Sequence, residues 1–198
     1  HDPIATANAL NAIGASISIN GTEVILRKRE NLFNDSKCDL NLGNSGTGSR
    51  LLLGFISGLG LKSTIIGDKS LQKRPMRRVI EPLRMMGAEL SSNEGKLPIK
   101  TLGSKILDNF EYKMPIASAQ VKSCLLLAAL ASQKNIKVIE PKITRDHTER
   151  IIEFFGGKIF YGSEKIPRVI ELKNSQLQQK DSFNVPGDFS SAAFIIVA

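Results

Sequence analysis

The stretch "SGTGSRLLLGFISGL", Ser45 to Leu59, starts with small, flexible residues and runs into the apolar string Leu51-Leu52-Leu53-Gly54-Phe55-Ile56. Small residues at a helix start can cradle phosphate, because backbone N–H groups there point outward and the helix dipole favours negative charge. The spacing is not that of a P-loop: G-x-x-x-x-G-K-[ST] is absent, and Arg50 stands where the first helical turn should be. A helix with so little polar surface must be wrapped by other elements rather than lie on an outer face.

Working outward, "ASAQVKSCLLLAAL" (117–130) and "DFSSAAFIIVA" (188–198) repeat the design, with small hydroxyl residues ahead of a nearly all-apolar helix. Aligning Thr47, Ser118 and Ser190 gives steps of 71 (118 − 47) and 72 (190 − 118). The first two run on into strands predicted at Ser63–Ile66 and Ile136–Ile139. A second set interleaves with them: "NALNAIGASISINGTEVIL" (8–26), "EPLRMMGAELSSNEGKLPIK" (81–100) and "RIIEFFGGKIFYGSEKIPRVIEL" (150–172). Each has helical apolar periodicity, then a glycine, then two short alternating strands around a polar turn. The glycines Gly14, Gly87 and Gly156 are expected to take the left-handed position that ends a helix.

The unit is therefore loop, buried helix, strand, amphipathic helix, two strands: an α/β fold of repeated βαβαββ units. A period of about 70 residues exceeds the roughly 20 to 50 of common solenoids, so a closed assembly of a few copies is expected, buried helices inside. The chain starts inside one repeat, ends inside another and opens on His1 rather than Met. A piece cut from a longer protein is expected.

The formal net charge of +8 implies attraction to something negative: nucleic acid, anionic lipid or a phosphorylated metabolite, with a solvated basic face as the plainer reading. Cys38 and Cys124 are far apart with no C-x-x-C or His pair, which suggests neither a metal site nor a disulfide framework and fits a reducing, cytoplasmic setting. The longest apolar stretch, Cys124–Ala131, is too short to span a bilayer. The cations gather at helix starts. Arg50 and Lys122 lie in first turns, and Lys73, Arg74, Arg77 and Arg78 surround Pro75, a residue favoured at the first helical position. Arg145 precedes "DHTE", where Asp146 can cap and Glu149 can reach back as in a capping box. A cation at a helix N-terminus costs about 0.3 to 1 kcal/mol, so four such starts point to an anionic ligand held by backbone N–H groups, hydroxyls and cations together. Ser118, Ala119 and Gln120 would add a hydroxyl, a backbone donor and an amide, although Gln120 could also be a plain helix-start residue.

The ordered run "GNSGTGSR", "GDKSLQKRPMRRVIEPLRMMGAEL", "MPIASAQVKSCLLLAAL", "VIEPKITRDHTERII" and "VPGDFSSAAF" resembles the 5-enolpyruvylshikimate-3-phosphate synthase family, and "ASAQVKS" and "TRDHTE" resemble its class II branch. The resemblance implies one lobe of a two-lobed, inside-out α/β barrel, with residues 1–184 forming most of the substrate-binding lobe and 185–198 the crossover into the second. It implies enolpyruvyl transfer from phosphoenolpyruvate to the 5-hydroxyl of shikimate-3-phosphate with release of phosphate, no metal or organic cofactor, and a cytoplasmic monomer without nucleic-acid or membrane partners. By the same resemblance Asn44, Gly46, Thr47, Arg74 and Gln120 bind phosphoenolpyruvate, and Ser118, Ala119, Gln120 and Arg145 bind shikimate-3-phosphate. Gly46 matches the glycine of glyphosate-sensitive members, whereas Arg77 departs from the usual glycine of R-P-M-G-R and could crowd Arg74. The family's N-terminal Lys-Ser segment and the acid/base Asp, Lys and Glu of its other lobe have no counterpart here, so no catalytic residue is assigned and the chain alone is expected to be inactive. Three other readings stand beside this one. UDP-N-acetylglucosamine enolpyruvyl transferase usually needs a reactive loop cysteine. A basic nucleic-acid binder would have to work with 6% aromatics and no Trp. A noncatalytic interaction module is the third.

Overall fold

The computed structural model describes residues 2–21, 23–27, 33–35, 39–162, 166–180, 183 and 185. In chain order it forms helix α1 (Asp2–Ala12) and strands β1 (Ile17–Asn20) and β2 (Glu23–Leu26). Then follow β3 (Asp39–Asn41), α2 (Gly46–Leu59), β4 (Lys62–Ile66), a 3-10 turn at Leu71–Lys73, α3 (Arg77–Met85), β5 (Ala88–Asn93) and β6 (Lys96–Ser104). The last run is β7 (Phe110–Lys113), α4 (Ala119–Ser132), β8 (Ile136–Glu140), α5 (His147–Phe154), β9 (Lys158–Tyr161) and β10 (Arg168–Lys173). The two four-stranded sheets have the same topology, β3-β4-β6-β5 and β7-β8-β10-β9, each with one parallel pair and two antiparallel pairs. The predicted βαβαββ unit is thus present twice, at 39–104 and 110–173, and α1-β1-β2 repeats its closing half. The third hydroxyl segment, 188–198, and Cys38 lie outside the described residues.

Both sheets bury one face. Burial alternates along β6, where Leu97, Ile99 and Thr101 point inward, and along β8, where Ile136, Val138 and Glu140 do. These faces cover α2 and α4, which pack side by side. An ideal Cβ on Gly54 would stand 2.2 Å from the carbonyl oxygen of Cys124, and one on Gly58 2.3 Å from that of Ala128. The helices therefore touch backbone to backbone. That contact offsets the roughly 0.5–1 kcal/mol each helical glycine costs in conformational freedom. No described helix is long and apolar enough to cross a membrane.

The marker glycines take positive φ as expected, at 114° (Gly14), 102° (Gly87) and 82° (Gly156). The hydroxyl alignment needs correction. Ser45 accepts from the Gly48 N–H, and Ser118 from the Val121 N–H. The equivalent caps are therefore Ser45 and Ser118, 73 apart (118 − 45), and Thr47 belongs inside the first turn. A cap is defined by extended backbone just before the helix, which hydroxyl identity does not reveal.

Pro75 also departs from expectation. Helix α3 begins two residues later, with Met76 as its N-cap, because the Met76 N–H donates to Gly95 O (2.9 Å) and ties this segment to the β5–β6 turn. Arg77 leans on that same turn, its Nε 3.3 Å from Glu94 O, and so faces the hairpin. The expected capping box at α5 is absent: the Asp146 side chain makes no cap hydrogen bond and pairs with Arg150 at 2.9 Å, while Glu149 is fully buried.

Candidate active site

The first turns of α2 and α4 are joined by side chains. Gln120 Nε2 donates to Thr47 Oγ1 (2.9 Å), and Gln120 Oε1 accepts from Arg50 Nη1 (2.9 Å). The contacts of Gly54 with Cys124 and of Gly58 with Ala128 follow at later turns, so the helices run parallel and their N-termini lie together. The positive ends of two helix dipoles and two sets of outward N–H groups then share one surface. Ser45 and Ser118 use their oxygens as caps, which leaves each hydroxyl proton able to donate.

Around this pair stand two groups of cations. On the α2 side, Arg74 Nη2 donates to Asn44 Oδ1 (2.5 Å), and Asn44 Nδ2 donates to Asp68 Oδ2 (2.8 Å). The Leu71 N–H and then the Asn44 amide hold the Asp68 carboxyl below its ordinary pKa. Gly46 lies beneath Arg74: a Cβ there would meet Arg74 Nη1 at 2.8 Å. On the α4 side, Arg145 lines a cavity of about 230 Å³ with Thr47, Ala119, Gln120 and His147, and a second of about 490 Å³ with Arg78, Ser118 and Thr144. Arg78 and Arg145 are exposed and have no hydrogen-bond or ion-pair partner among the described residues.

The structure thus brings Asn44, Gly46, Thr47, Arg74, Ser118, Ala119, Gln120 and Arg145 to one face. Two cations singled out from the sequence have other employment. Lys122 is fully buried, its Nζ 2.6 Å from Glu149 Oε1 and 3.3 Å from Glu140 Oε2, so it is not available to a ligand. Arg50 is 9% exposed and lies beneath the surface, bound to Gln120 and to Pro75 O (3.3 Å). Burial, and then the nearness of Arg78 and Arg74, lower its pKa. Sequence reasoning missed Asp68, which orients Asn44, although it stands in "GDKS" just ahead of the arginine motif. A cavity of about 610 Å³ between α1, α2 and α4 is apolar and has no Lys or Arg in its lining.

Paired helix N-termini flanked by arginines, on repeated βαβαββ units, define an α/β lobe with a positively charged, donor-rich face. The family description for EPSP synthase (3-phosphoshikimate 1-carboxyvinyltransferase) matches residues 1–198. The chain is 45% identical over 201 residues to the 3-phosphoshikimate 1-carboxyvinyltransferase of Petrotoga mobilis, covering 100% of this chain and 46% of that protein. It is 42% identical over 200 residues to that of Bartonella quintana, again covering 100% of this chain and 45% of the relative. A solved structure of EPSP synthase from Acinetobacter baumannii superposes with a TM-score of 0.83 at 37% identity, covering 98% of this chain and 44% of the other. The chain belongs to the EPSP synthase family, and it spans somewhat under half the length of these relatives.

Proposed function

We infer that this chain supplies most of one substrate-binding lobe of an enzyme transferring the enolpyruvyl group of phosphoenolpyruvate to the 5-hydroxyl of shikimate-3-phosphate, with release of phosphate. Residues 1–184 form that lobe and 185–198 begin the crossover to another. The observation that carries the reading is the pair of helix N-termini tied by Gln120 to Thr47 and Arg50, with Arg74 on one flank and Arg145 on the other. Asn44, Gly46, Thr47, Arg74 and Gln120 hold phosphoenolpyruvate. Ser118, Ala119, Gln120 and Arg145 hold shikimate-3-phosphate, and Gln120 lies between the two.

In this chemistry the methylene carbon of phosphoenolpyruvate takes a proton, the 5-hydroxyl gives up its proton as it adds to the neighbouring carbon, and the tetrahedral adduct loses phosphate together with a proton from the new methyl group, which restores the double bond. On this reading no residue of the chain is assigned to move protons. This lobe holds two anions together and offsets their charge, and fixed donors in a closing cleft count for more than they do in water. The competing enolpyruvyl transferase chemistry needs a reactive thiol. Cys124 is unsuited to it, since burial in α4 raises its pKa to about 12.

The test is a coupled phosphate-release assay on the full-length protein with both substrates. Arg74→Ala should lower turnover roughly a hundredfold, the scale of deleting one donor to a developing negative charge. Unchanged turnover would remove Arg74 from the site.

A further inference from the structure

Behind the α4 side of the site lies a buried ionic cluster that substrate contact does not explain. Lys122, in the first turn of α4, meets Glu140, the last residue of β8, and Glu149, in the first turn of α5; all three side chains are 0% exposed. Glu140 also grips the loop between β8 and α5. Its Oε2 accepts from Thr144 Oγ1 (2.7 Å), and its Oε1 accepts from the Thr144 N–H (3.4 Å). Beside the cluster, the hydroxyls of Ser123 and Thr148 meet at 2.7 Å. The loop that presents Arg145 is therefore pinned on both sides of that residue.

The sibling unit shows that the fold does not require charge here. By the marker glycines, 69 apart (156 − 87), Glu149 corresponds to Ile80 (149 − 69). By sheet register, Glu140 opposite Arg168 corresponds to Ile65 opposite Ile99, since 168 − 99 is also 69. By the capping serines, Lys122 corresponds to Ser49 (122 − 73), whose hydroxyl donates to Gly46 O. Ile65 and Ile80 are 0% and 1% exposed, so the same positions close well with apolar side chains. A buried ion cluster seldom adds stability over such packing, and two carboxylates to one ammonium is a poor ratio for that purpose. What the cluster does provide is direction at Glu140, whose oxygens are hydrogen-bonded to Lys122 and Thr144, while Glu149 is held, among the described residues, by its ion pair with Lys122 alone; a buried charge held this way tolerates few alternative geometries.

We propose that Lys122, Glu140 and Glu149 form a latch that positions Arg145 for the phosphorylated acceptor by way of Thr144. They are positioning residues, out of reach of the substrate. The proposal rests on the role given above to Arg145, and its test separates the two. In the full-length protein, Glu140→Gln keeps the volume but weakens the grip, and Thr144→Val removes one hydrogen bond while leaving the three charges intact. Each should raise the Kd for shikimate-3-phosphate, about tenfold for Glu140→Gln, the size of one lost charged hydrogen bond. The KM for phosphoenolpyruvate should stay within about twofold, because its donors other than Gln120 are on the α2 side, and Gln120 is held by Thr47 and Arg50 rather than by the loop. In an Arg145→Ala background neither variant should weaken binding further. Trypsin supplies a readout independent of ligand: cleavage after Arg145 should be faster in both variants than in the parent. Multiplicative effects with Arg145→Ala, parallel changes for both substrates, or unchanged cleavage would each overturn the latch. Faster cleavage together with normal shikimate-3-phosphate affinity in Arg145→Ala would overturn the link from the loop to the substrate.

Discussion

The two complete units, residues 39–104 and 110–173, share sheet order, helix caps and the glycine after their second helix, yet they bring different chemistry to the same face. In the first, the exposed groups hold one another: Asp68 orients Asn44, Asn44 orients Arg74, and the buried polar groups behind them are Arg50 and hydroxyls, with no buried carboxylate among the described residues. In the second, the Arg145 side chain has no partner among the described residues, and order comes from the charges beneath it. One repeated scaffold has thus produced one arginine, Arg74, aligned from within its own surface and another, Arg145, on a loop aligned from the core. The difference predicts that damage to the surface network of the first unit changes ligand handling alone, whereas damage to the buried cluster of the second also reaches the fold.

Lys122→Met is the harshest test of that contrast. It leaves two carboxylates buried without their counter-ion, and urea unfolding of the full-length protein should show a loss of about 3–5 kcal/mol. A loss below about 1 kcal/mol would mean that the cluster is open to water.

The helix contact comes next. A methyl at Gly54 must push against the Cys124 carbonyl, which cannot rotate away, so Gly54→Ala should cost about 1–3 kcal/mol by the same measurement.

Smallest is Gly46→Ala. Its new methyl meets the flexible end of Arg74, which can shift, so the unfolding midpoint should stay close to that of the parent. The displaced guanidinium should raise the KM for phosphoenolpyruvate and weaken inhibition by glyphosate, each roughly tenfold, while shikimate-3-phosphate binding is unchanged. Equal loss for both substrates would erase the distinction between the two sides.

Much of this was legible in the sequence because it is periodic. The all-apolar character of residues 51–56 and 124–131 announced buried helices, the strands after them fell within a residue of prediction, and Gly14, Gly87 and Gly156 marked the helix ends through their positive φ. That the proposed site residues share one face was legible because small residues, hydroxyls and cations cluster at helix starts; the roles proposed for them come from the family resemblance. What failed depends on partners distant in the chain. Glu149 looks like a capping residue until Lys122, from another helix, draws it inward. Lys122 looks like a ligand cation until Glu140 and Glu149 surround it. Pro75 stands where a helix could begin, but the hairpin carbonyl of Gly95 holds Met76 outside it. Gln133 ends α4 at φ 55°, a left-handed position where the sibling helix uses Gly60 and where sequence gives no warning.

On the proposed reading, the neighbouring N-termini of α2 and α4 form one pocket for a phosphorylated acceptor with Arg145 as its cation. Calorimetric titration of the full-length protein with shikimate-3-phosphate, parent against Arg145→Ala, tests it most directly. One-to-one binding weakened about tenfold or more in the variant is the predicted result, the scale of one lost charged hydrogen bond. Equal affinity in the two proteins would contradict it.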